Sequence, residues 1–215
     1  MKSAALLAAA LALAACGTNR PELPEELLRD PGGSERPDYP DGPYGTEPGG
    51  ILADATFPGW RAPLTSEHTE DALTDIAFSD YHDPDGSRYE LLLVNTAALW
   101  CSVCQSEHQT LPERHAEYSD RGVVLVSALF QDEGGDPADL NDLKRWVERF
   151  DVPFPMLLDA DFQLGIYATA ETAPLNLLVD ARSMRILEKF VGDSSTTLWQ
   201  RVDDELAERE AETVE

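Results

Sequence analysis

From residue 57 to residue 208 the apolar positions follow two patterns. Short runs, Leu91–Val94, Val123–Ala128 and Leu175–Val179, have the length and branching of strands buried on both faces. Leu73–Phe78 alternates apolar with polar, Phe154–Leu158 is a further short strand, and Arg185–Val191 is the hairpin partner of the 175–180 strand. Leu140, Leu143, Trp146, Val147 and Phe150 recur at helical spacing, so Asp136-Pro137 starts a helix that Pro153 ends. Ser102–Ser119 forms a helix bent at Pro112, Asp161–Tyr167 a short one, and Gly192–Ser195 caps a last one reaching about Glu208. Asp83-Pro84-Asp85-Gly86 marks a turn. Strands alternating with helices predict an α/β domain: a mixed sheet with helices on both faces.

The first 56 residues follow neither pattern. Met1–Ala15 is a basic start, Lys2, and an Ala/Leu run too short to span a bilayer, which is the form of a secretory signal. It ends in Leu13-Ala14-Ala15-Cys16, which resembles the bacterial lipobox and implies lipidation of Cys16 and a lipid-bilayer anchor. Residues 16–56 are dense in Pro, Gly, Asp and Glu and are expected to form a disordered tether. The domain is expected at 57–208 and an acidic tail at 209–215.

Charge narrows the function. With 16 Lys and Arg against 41 Asp and Glu the net charge is −25, which argues against nucleic-acid partners. Of three cysteines, one is Cys16 and two form Cys101-Ser102-Val103-Cys104, directly after an apolar strand and opening a helix. There, unpaired backbone N–H groups favour a thiolate at Cys101, and Cys104 lies one turn on, close enough for a disulfide. This spacing is that of a redox pair.

Asn95, Trp100, Cys101, Cys104 and Glu107 resemble the Trp-Cys-x-x-Cys-x-x-Glu pattern of the thioredoxin-like superfamily, TlpA/ResA branch, of extracytoplasmic thiol–disulfide oxidoreductases. Thr96-Ala97 departs from the family's aromatic pair, and Gln109 stands where its helix proline is expected. Thr172-Ala173-Pro174 resembles the family's cis-proline segment, preceded here by an extra helix–strand–helix. The resemblance implies a thioredoxin-like fold, Cys101 as nucleophile, Cys104 as resolving thiol and Glu107 as proton carrier. Trp100, Thr172, Ala173 and Pro174 would line the substrate groove. It implies protein disulfide substrates, a reductase fed by a membrane electron donor, and no cofactor or metal. Two alternatives stay open. Cys101, Cys104 and His108 at i, i+3 and i+7 have ligand types suited to zinc or copper, as in a metallochaperone. A peroxiredoxin-like peroxidase is the other, although Ala98 and Val94 stand where its Thr and Pro belong. His108 and His115 otherwise read as solvated helix residues.

Overall fold

The computed structural model describes residues 39–212. The expected signal, Cys16, the first part of the tether and residues 213–215 lie outside the described residues. Seven strands form one mixed sheet: β1 Thr56–Trp60, β2 Thr74–Ala77, β3 Leu91–Ala98, β4 Val123–Gln131, β5 Met156–Leu158, β6 Leu175–Asp180 and β7 Arg185–Val191. Their order is β2-β1-β5-β4-β3-β6-β7. β3, β4 and β5 run parallel, and β6, β7, β1 and β2 extend the two sides antiparallel. The helices are α1 Ser102–His108, α2 Leu111–Tyr118, α3 Leu140–Phe150 and α4 Ser195–Glu212.

All eight residues of β3 are buried, and β4 and β6 are nearly so. Leu91, Leu93, Leu125, Leu129 and Leu178 pack with apolar residues of all four α-helices. Leu92, Val94, Val126, Leu177 and Val179 face the other way. The four α-helices thus share one face, and the helical elements of the other are 3-10 turns. The two parallel crossovers, β3 to β4 and β4 to β5, step in the same direction across the sheet, and equal handedness puts their helices on one face. The second face is closed by Ile51–Ala55, Leu164, Tyr167, Met184 and the 3-10 turn Phe78–Tyr81.

Residues 39–56 correct the tether boundary. Leu52 and Ala53 are buried, the Leu52 N–H donates to the Met184 carbonyl at 2.8 Å, and the Tyr39 hydroxyl donates to the Leu52 carbonyl at 2.7 Å. The Pro/Gly-rich average hid five residues, Ile51–Ala55, with enough apolar surface to dock on the sheet. At the other end α4 runs on to Glu212, where an acidic tail was expected from 209. Arg209 pairs with Asp180 at 3.0 Å and with Glu205 at 3.5 Å, which carries the helix through that point.

Two helix starts also differ from expectation. The 102–119 helix does not bend but breaks: α1 ends at His108, and Pro112 falls in the first turn of α2. Proline has no N–H for the His108 carbonyl four residues back, and the first turn is where its loss is harmless. α3 begins after Asp139, not at Asp136-Pro137. The Asp139 carboxylate accepts from the N–H of Asn141 and Asp142, and Asp142 reciprocates to the Asp139 N–H. Asp161–Tyr167 contains a 3-10 turn, Gln163–Ile166, in place of a short helix.

Candidate active site

Cys101 is the N-cap of α1 and Cys104 its third residue. The two are joined as a disulfide with Cα atoms 5.3 Å apart. The Cys104 N–H points at the Cys101 sulfur at 3.0 Å, so a free helix-end donor faces the atom that becomes a thiolate on reduction. Cys101 is 4% exposed and Cys104 is fully buried. The loop before β6 closes over the pair. Its Ala173–Pro174 peptide is cis, and the Ala173 carbonyl oxygen lies 3.7 Å from the Cys101 sulfur. The Gly192 N–H holds this loop by donating to the carbonyls of Thr172 and Pro174. Thr172 itself is exposed, with its hydroxyl turned back to the Thr169 carbonyl. Trp100 is 39% exposed beside the pair, its indole N–H bonded to Gln131 at 3.0 Å.

Beneath α1 lies a polar cluster that the apolar strands conceal. Asn95 of β3 stands in register with Ser127 of β4 and with Asn176 of β6, and all three are fully buried. Residues at these positions alternate with those of the far face, so the three point toward the helices. Glu107 is 7% exposed above them. Its Oε2 accepts from Asn95 Nδ2 at 2.8 Å and its Oε1 from Asn176 Nδ2 at 2.8 Å. Asn95 Nδ2 also donates to Asn176 Oδ1 at 2.9 Å, and the Ser127 hydroxyl donates to Asn95 Oδ1 at 2.7 Å.

Burial pushes the Glu107 carboxyl up to about 7; the two amide bonds oppose that rise and Asp193 adds to it. A cavity of about 220 Å3 between α1 and the turn before α4 has Glu107 and Asp193 in its wall. A buried carboxyl that titrates near neutrality, with an opening beside it, can hold or release a proton under ordinary conditions.

His108 is fully buried, which corrects its reading as a solvated residue. Its Nδ1 lies 3.1 Å from the Cys104 carbonyl and its Nε2 3.1 Å from the Ser127 hydroxyl, with the ring packed on Trp146 and Phe150. Both nitrogens face these partners, not the cysteine sulfurs, so His108 is not presented as the third ligand of a Cys101–Cys104 metal site. His115 is half-buried against Phe154. Asn176, Ser127 and Asp193 were not singled out from sequence. For Asn176 and Ser127 the available signal was a polar residue inside an otherwise apolar strand; Asp193 lies in the turn before α4.

The AhpC/TSA family model matches residues 58–183, more than half of the chain. The chain belongs to the AhpC/TSA family. Among curated relatives it is 28% identical over 152 residues to the thiol:disulfide interchange protein DsbE of Pseudomonas fluorescens biotype C, covering 70% of this chain and 71% of that one. It is 30% identical over 112 residues to DsbE of Vibrio cholerae, covering 52% and 55%. The chain thus spans about half the length of several of these relatives. The fold is shared with a DsbE-type structure from Chlorobium tepidum at a TM-score of 0.57 and 18% identity, covering 74% of this chain and 98% of that one. A DsbF homologue from Corynebacterium diphtheriae aligns at 0.53 and 19%, covering 82% and 96%. The expected thioredoxin-like fold stands.

Proposed function

We propose that this family member is a thiol–disulfide oxidoreductase acting on protein substrates outside the cytoplasm, held at a membrane through lipidated Cys16 and working as a reductase. The observation that carries the activity is the Cys101–Cys104 disulfide at the start of α1, under the Ala173–Pro174 loop and beside buried Glu107. The DsbE relatives support the same chemistry. The Leu13-Ala14-Ala15-Cys16 sequence supports the anchor.

The reaction conserves atoms and electrons in two steps. The Cys101 thiolate attacks one sulfur of a substrate disulfide. That S–S bond breaks, the departing thiolate takes a proton, and a mixed disulfide to Cys101 forms. Cys104 then gives up its proton, attacks the Cys101 sulfur and releases the second substrate thiol. The pair is oxidised by two electrons and the substrate reduced by two. Glu107, three residues after Cys104, takes the proton that Cys104 loses. A membrane dithiol donor returns the two electrons. Trp100, Ala173 and Pro174 border the sulfur under attack and line the path of the substrate chain; Thr172 shapes the outer edge of that path.

Trapping tests this directly. The Cys104→Ser variant should accumulate a mixed disulfide with a disulfide-bonded peptide, and Cys101→Ser should accumulate none. Accumulation in Cys101→Ser but not in Cys104→Ser would reverse the assignment of the thiols.

A further inference from the structure

The buried polar cluster poses a problem of proton counting. The Cys104 carbonyl only accepts, so His108 Nδ1 carries a hydrogen. The Ser127 hydroxyl has one hydrogen and two neighbours that need it, Asn95 Oδ1 at 2.7 Å and His108 Nε2 at 3.1 Å. Asn95 cannot relieve the contest by turning its amide. That would aim Oδ1 at Glu107 Oε2 and at Asn176 Oδ1, both acceptors. With Glu107 ionised and His108 neutral, the cluster is therefore one hydrogen short.

A proton on Glu107 does not remove the conflict. Glu107, Asn95 and Asn176 close a triangle of three contacts. With the carboxyl hydrogen inside the triangle, one contact is left with two acceptors or two donors facing however the two amides are turned; with it turned out to the cavity, the triangle closes but the contest at Ser127 remains. A proton on His108 Nε2 satisfies every contact. Nε2–H donates to Ser127, Ser127 donates to Asn95, and Asn95 and Asn176 donate to ionised Glu107. The two arrangements carry the same net charge, so exchanging one for the other buries no extra net charge.

We infer that Glu107 and His108 compete for a single proton, coupled through the hydrogen bonds of Ser127 and Asn95, and that the two groups titrate as one pair. His108 is then a positioning residue: its ring holds the Cys104 carbonyl and, through Ser127, fixes which way the Asn95 amide faces Glu107. Burial works against the charged arrangement, lowering His108 to about 4 and raising Glu107 to about 7. The hydrogen-bond count works for it, and the balance between them decides which group holds the proton. The groups around Glu107 are Asn95 of β3, Asn176 of β6 and Asp193 before α4, which disfavours its ionised form. Those around His108 are the Cys104 carbonyl, Ser127 of β4, and the aromatic rings of Trp146, Phe150 and Phe154.

The inference deepens the role proposed for Glu107, and its test needs no substrate, so the two stand or fall separately. The probe is the full chain labelled for NMR, with the Glu107 carboxyl carbon and the His108 ring nitrogens followed against pH. Both signals should move together with one midpoint. In Glu107→Gln the His108 step should leave that range, and in Ser127→Ala the ring should stop following the carboxyl. Ring nitrogens that stay still through the Glu107 step would overturn the inference. So would a His108 midpoint unchanged in Glu107→Gln. If Ser127→Ala does not fold, the wild-type and Glu107→Gln titrations decide alone.

Discussion

The chemistry of this chain is concentrated in a few buried polar residues, and Glu107 carries most of the consequence. Its carboxyl titrates at about 7 in the folded protein against 4.5 when free. The folded state therefore holds this proton more tightly than the unfolded chain does. The contribution of this carboxyl is complete below pH 4.5 and is lost as pH rises to about 7, while His108, lowered to about 4, works in the opposite sense as pH falls. Denaturant unfolding of wild type and Glu107→Gln across this range should show the wild type gaining stability relative to the variant as pH falls; a pH-independent difference would contradict the buried-acid assignment. The same residue predicts kinetics: Glu107→Gln should slow resolution of the mixed disulfide more than the first attack, as stopped-flow thiol exchange would reveal. Spacing pointed to Cys101 and Cys104, and the family resemblance to Glu107. Neither showed Asn176, Ser127 or the burial of His108. Those depend on strand register and on a helix break, which bring together residues up to 81 positions apart.

At the scale of elements, long apolar patterns were legible and interruptions were not. β3, β4, β6 and β7 appear in sequence because unbroken or alternating apolar runs fix them. β1 does not, because Pro58 and Gly59 break its pattern. Gly59 is required there: a Cβ on it would come within 2.5 Å of the Met156 carbonyl oxygen on β5. The start of α3 was misplaced because Asp136-Pro137 mimics a cap that Asp139 supplies. Asp139→Ala should therefore cost about 1 kcal/mol, which thermal unfolding would register as a fall of about 3 °C, whereas Asp136→Ala should change little. The 172–174 loop is held on both sides by Gly192 and carries the carbonyl nearest Cys101. Pro174→Thr should lengthen the lifetime of the mixed disulfide trapped in Cys104→Ser, measured by its release with added thiol. A lifetime equal to that with Pro174 would remove the loop from the substrate path.

Across the whole molecule, one seven-stranded sheet supports the site from below. Segment 39–56 is part of the packed domain, so a tether can begin only before it. Among the described residues no helix is long and apolar enough to cross a membrane, and the anchor proposed at Cys16 rests on sequence. Cys16→Ser should abolish acyl labelling and release the protein from the membrane fraction; unchanged labelling would refute the anchor. With a net charge of −25, any association with a basic protein should weaken with added salt.

In the proposed reaction Cys101 attacks and Cys104 resolves. Alkylation rate against pH, on the reduced Cys101→Ser and Cys104→Ser variants in a Cys16→Ser background, tests it most directly. Cys101, which receives the Cys104 N–H, should alkylate faster and with a lower apparent pKa, and Cys104 should be slow and shielded. A Cys104 that reacts faster and with the lower apparent pKa would contradict this assignment of roles.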